Sequence, residues 1–184
     1  MMHPFAWLPE LYQWCFSAVL LVTVVPLAWK LKAQGKDLKT PDAPKGMVSL
    51  QLSWSRSDAI KILDSWEKLK NVARKQLQLD YAFLMFYPLL LSLICGMLAD
   101  SPDSTLAAIG MLLSWAVLLA GPLDAVENYA LLVMIRSSPT EALAKTAGWC
   151  AGIKFALVSA AVGYGIFEGV RMLFKILESV WHAL

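Results

Sequence analysis

Four apolar runs constrain this chain more than any other feature. They cover residues 11–29, 81–99, 105–135 and 142–169. Each contains a stretch of ~17–25 mostly apolar residues, the length that spans a hydrocarbon core as a helix. In lipid every backbone N–H and C=O must be satisfied within the segment, so such runs form helices. Hydrophobic residues make up 58% of the 184 and the mean hydropathy is +0.57, well above an ordinary soluble domain. The expectation is an all-α integral membrane protein: a single four-helix bundle, with helix two extended into the cytoplasm.

Charge supplies the orientation. The net charge of +2 is too small for strong nucleic-acid steering. Its distribution says more, because eleven of the sixteen Lys and Arg lie between Lys30 and Lys75, against five acids. By the positive-inside rule this segment faces the cytoplasm, which places both termini outside. A bacterial inner membrane is the expected location. The first run has no basic region before it and no small-residue cleavage site after it, so it reads as an uncleaved helix.

In order along the chain, a basic connection with Gly35, Pro41, Pro44 and Gly46 follows the first run, in which Pro26 is a kink candidate. Residues 47–54 alternate apolar and polar, which predicts an extended segment. Ser55, with Asp58 three residues on, predicts a helix start. Ala59, Ile62, Leu63, Trp66, Leu69, Ala73 and Leu77 then form one apolar stripe. No breaker occurs over 56–87, so one continuous helix is expected to leave the cytoplasm and enter the bilayer. Residues 30–80 are thus a basic loop and an amphipathic helix, suited to a membrane surface or a docking partner. An acidic turn is expected at 100–104, and Gly121-Pro122 predicts a kink in helix three. Helix four carries Gly148, Gly152, Ala156, Ser159 and Gly163, a small-residue face for close packing. Residues 170–184 read as an interfacial tail. Cys15, Cys95 and Cys150 are dispersed in apolar runs and read as buried free thiols.

The chemistry is concentrated in one layer. At ~1.5 Å per residue, Asp80 and Asp124 each lie about 28 Å inward of the outer surface, and Lys154 about 22 Å. Glu127 and Asn128 share a helix face with Asp124 at i+3 and i+4. Asp80, Asp124, Glu127, Asn128 and Lys154 therefore fall together, with Tyr81, Tyr87, Tyr129 and Trp149 near enough to line the same place. Three carboxylates face one lysine, and like charges in a dry site cannot all ionise. A proton, a cationic rim residue (Arg74, Lys75 or Arg136), a cationic ligand or a bound divalent cation would restore balance. The oxygen set suits Mg²⁺ or Ca²⁺. Zinc and haem are poorly served, since the only histidines are His3 and His182.

Intramembrane ionisable residues mark functional sites by default. A site for a small polar or lipidic ligand is the leading expectation, with Asp80, Tyr81, Asp124, Glu127, Asn128, Tyr129 and Lys154 as its residues. A buried ion-pair network in an accessory subunit or scaffold is the alternative. A carboxylate acid–base enzyme acting on a lipid-soluble substrate is a second alternative. Nucleotide-binding, nucleophile-elbow and zinc-protease motifs are absent from the sequence. Partners are expected to be membrane lipids, further copies of the chain or subunits of a membrane complex.

Overall fold

The computed structural model describes residues 2–99 and 104–183, all helix, turn and loop without a strand. The acidic turn expected at 100–104 falls outside these except for Ser104, the first residue of a helix. Eight α-helices follow one another: α1 (Glu10–Gly35), α2 (Met47–Gln51), α3 (Arg56–Ser65), α4 (Lys70–Phe83), α5 (Tyr87–Leu98), α6 (Ser104–Ala116), α7 (Ala120–Arg136) and α8 (Glu141–Ala183). Four helical stretches are long and apolar enough to cross a membrane: α1, α4 with α5, α6 with α7, and α8. This suggests an integral membrane protein. Their outward faces carry apolar side chains such as Val22, Leu112, Leu119 and Ile166, each at least 60% exposed.

The long amphipathic helix expected from 56 onward is interrupted twice. The first break, at residues 66–69, is tertiary in origin. The Trp66 side chain is fully buried, and its indole N–H donates to the Leu38 carbonyl at 2.9 Å. Holding that indole on the preceding loop turns the backbone into short i−3 bonds, from Glu67 to Asp64 and from Leu69 to Trp66. The second break, at 84–86, is local. Pro88 has no N–H to give the Leu84 carbonyl, so the helical ladder lapses there and α5 begins one residue earlier, at Tyr87. The apolar stripe is nevertheless buried as its period requires, with Ala59, Ile62, Leu63, Trp66, Ala73 and Leu77 in one cluster.

Pro122 acts in the same way on the third span. It cannot donate to Leu118, and a 3₁₀ turn at Val117–Leu119 separates α6 from α7. The kink expected at Gly121-Pro122 is therefore a tightened turn just before it.

Residues 47–54 are not extended. α2 buries Met47, Leu50 and Gln51, the i, i+3, i+4 face of a helix. An isolated strand would have left its backbone groups unpaired, whereas one helical turn satisfies them internally. The turn is closed by Gly46 at φ 60° and by Trp54 at φ 47°. Ser55 then caps α3, accepting from the Asp58 N–H at 3.1 Å.

The 43-residue α8 runs without a break, so residues 170–183 continue its axis and form no separate tail. It packs most extensively on α7 and also meets α2, α3, α5 and α6. Its small-residue face receives side chains in preference to a helix backbone. The indole of Trp54 lies against Gly148, where a Cβ would stand 2.9 Å from the ring, and it meets Trp149 edge-on at 5.3 Å. A Cβ on Gly163 would meet no atom of another described element within 4 Å. Of the three cysteines Cys95 and Cys150 are buried, but Cys15 is exposed on α1.

Candidate functional site: a buried acid–amide–lysine layer

The layer forms where α4, α5, α7 and α8 cross. Asp124, Glu127 and Asn128 are one turn apart on the inward face of α7, and all three are buried. Lys154, on the facing side of α8, is also buried. Its ammonium donates to Asp124 Oδ1 at 2.6 Å and lies 2.7 Å from Glu127 Oε2. The second contact is a close ion pair, and among the described residues nothing donates to Glu127 Oε1. Asp124 Oδ2 accepts from the Tyr87 hydroxyl at 3.0 Å. The same hydroxyl is 3.4 Å from the Ala120 carbonyl, and its single proton favours the shorter, charged acceptor.

Asp80 is held separately. The Asn128 amide donates to its Oδ2 at 2.8 Å, while Asn128 Oδ1 is buried without a partner. Lys154 therefore serves Asp124 and Glu127, and Asp80 is held by a neutral amide. Three carboxylates share the layer with one ammonium, and the site carries excess negative charge whenever all three are ionised. The Lys154 ammonium sits between Asp124 and Glu127, where a metal ion bridging those two would have to sit. Among the described residues, no group of three or more His, Cys, Asp or Glu is placed to hold a metal ion.

The two proline breaks lie beside this layer. A Cβ on Gly121 would stand 3.4 Å from the Leu84 carbonyl oxygen and 3.4 Å from the Pro88 ring. The lapsed ladder of the second span thus abuts the first turn of α7. Asp80 is one turn before Leu84, and Asp124 is one turn after Gly121. An alanine Cβ at 121 would reach ordinary van der Waals contact with the carbonyl that proline has freed.

Next to the layer is a cavity of about 340 Å³. Its lining is mostly apolar, including Val24, Leu90, Leu91 and Val158, and also contains Asp80, Asp124, Lys154 and Gln51. Gln51 is buried and its Oε1 is unpartnered. A mostly apolar lining with a few polar side chains is the usual composition of a ligand pocket.

Of the residues expected from the sequence, Asp80, Asp124, Glu127, Asn128 and Lys154 come together. Tyr81 stands at the edge, its hydroxyl donating to the Ala125 carbonyl at 3.2 Å. Tyr129 does not join them: it is one position past Asn128 and is 65% exposed. Trp149 is likewise exposed and pairs with Trp54. Among the described residues, Arg74, Lys75 and Arg136 form no ion pair with the layer. Gln51 and Phe155, which line the cavity, were not expected. The signal for Gln51 was available, since Met47, Leu50 and Gln51 share a face only when the segment is read at helical spacing.

No family model matches the chain, and no similar protein was found among curated sequences or solved structures.

Proposed function

We propose that this is a polytopic inner-membrane protein whose buried acid–amide–lysine layer binds a small amphiphilic ligand. The observation that carries this is the cavity, whose mostly apolar lining also includes Asp80, Asp124, Lys154 and Gln51. A hydrocarbon portion fits the walls, and a head that donates hydrogen bonds or carries positive charge offsets the surplus of carboxylates. By the positive-inside rule the basic segment 30–75 supports a cytoplasmic location for this end of the bundle, with both termini outside. The turn and helices from 56 to 83 then form the cytoplasmic entry into the second span.

The second reading is a structural network in a non-catalytic subunit. It is favoured by Lys154 lying within 2.7 Å of two carboxylates, a closed triad that fixes α7 against α8. Dodecylamine and dodecanol binding to the protein in lipid nanodiscs distinguishes the two. Saturable binding of the amine, weakened by Asp80→Asn with folding retained, supports the ligand site. Failure of both probes to bind, or binding indifferent to Asp80, supports the network.

A further inference from the structure

A second cavity, of about 440 Å³, lies where α7 ends and α3 and α4 begin. Its chemistry is opposite to that of the buried layer. Arg56, Lys70 and Arg136 line it, with Asp64 as the one acid. None of the three cations has a carboxylate within ion-pair distance among the described residues; the ion pairs there belong to other side chains. Three cations converging on one cavity repel one another until an anion enters.

Arg56 is held in place before any ligand arrives. Its Nε donates to the Pro139 carbonyl at 3.1 Å, and its backbone N–H donates to Glu141 Oε2 at 2.9 Å. Those bonds leave its terminal guanidinium nitrogens free to donate. Glu141 is itself paired with Lys145 at 3.2 Å, so it does not neutralise the cavity. Ser137 and Ser138 add hydroxyl groups to the lining, and the buried Met134 and Ile135 give it an apolar floor. Arg136 is the last residue of α7, so the cavity stands at the charged end of an apolar span, the level at which lipid phosphates lie.

We infer that this cleft binds a phosphate group, presented either by a lipid headgroup or by a soluble phosphate. Arginine offers the fork of donors that matches phosphate oxygens, and Lys70 adds a point charge. The site is separate from the buried layer, so it stands or falls independently of the ligand proposed there.

The test uses the full-length protein in neutral detergent, with thermal unfolding read against dihexanoyl phosphatidic acid, inorganic phosphate and hexanoate. Phosphatidic acid should raise the unfolding temperature saturably and hexanoate should not. Lys70→Gln and Arg136→Gln, both at the cavity edge, should each weaken the apparent affinity about tenfold, as expected for a lost charge-assisted contact. An equal effect of inorganic phosphate assigns the site to a soluble ligand, and a phosphatidic acid effect alone assigns it to a lipid. Either result supports the phosphate site. The inference is overturned if neither phosphate compound shifts the wild-type protein, if hexanoate matches them, or if the shift survives in Lys70→Gln/Arg136→Gln.

Discussion

Glu127 Oε2 lies 2.7 Å from the Lys154 ammonium, and nothing donates to that carboxylate's other oxygen. Among the described residues Lys154 is therefore the one countercharge in contact with Glu127, as well as the partner of Asp124. Lys154→Met leaves two buried carboxylates unpaired and should destabilise the protein by about 3–5 kcal/mol, the cost of breaking a buried pair from one side. Glu127→Gln keeps the shape and removes one charge, so its cost should be smaller. Thermal unfolding in detergent gives the ranking. Equal costs would show that charge pairing does not govern the layer.

Gly148 gives a prediction with two opposing terms. Alanine there should gain about 1 kcal/mol of helix propensity over glycine. Its Cβ would stand 2.9 Å from the Trp54 ring, and displacing a packed indole costs about 1–3 kcal/mol. Gly148→Ala should thus be destabilising in the wild-type background and stabilising in Trp54→Ala, a sign change that a double-mutant cycle of melting curves reads directly.

Pro88→Ala restores a donor for the Leu84 carbonyl. The second span should become more regular through 84–86, with little change in stability, because relief of the proline penalty is offset by lost packing of the buried Pro88 ring. Asp80, one turn away, should move relative to Asn128. The expected result is dodecylamine binding weakened about tenfold with the melting temperature held within a few degrees, a displacement effect and not a folding defect.

His3, ahead of the first span, rests against Gly96 and accepts from the Phe5 N–H at Nδ1 (3.3 Å). Burial holds its imidazole below the ordinary 6.5. The native state thus binds this proton less readily than the unfolded chain does. Stability from this group is present above pH 6.5 and declines as the pH falls toward the lowered value. His3→Gln should flatten that part of the stability profile, as measured by melting between pH 8 and 5. A persistent slope would assign it to another group.

The legible parts of the molecule were those set by period and length. The stripe from Ala59 to Leu77 and the convergence of Asp80, Asp124, Glu127, Asn128 and Lys154 follow from helical spacing and rise alone. What the sequence obscured came from contacts distant along the chain. The break at Trp66 depends on a carbonyl 28 residues earlier, at Leu38. Residues 47–54 satisfy an extended pattern and a helical one over so short a length that periodicity alone does not choose, and Gln51 was missed with them. Tyr129 failed for a simpler reason. Being adjacent to a buried residue on a helix turns a side chain ~100° away from it.

The prolines at 88 and 122 have a further consequence. Each interrupts its span near the same height, and Gly121 seats the two interruptions against each other. The bundle is thereby divided into two storeys joined at a landing, and the charged residues occupy the flight just below it. α1 and α8 each pass through both storeys uninterrupted, and α8 is the column on which α7 packs. A tilt of the upper storey on the lower would lever α7 against that column, and the Lys154 contacts to Asp124 and Glu127 would be the first to register it.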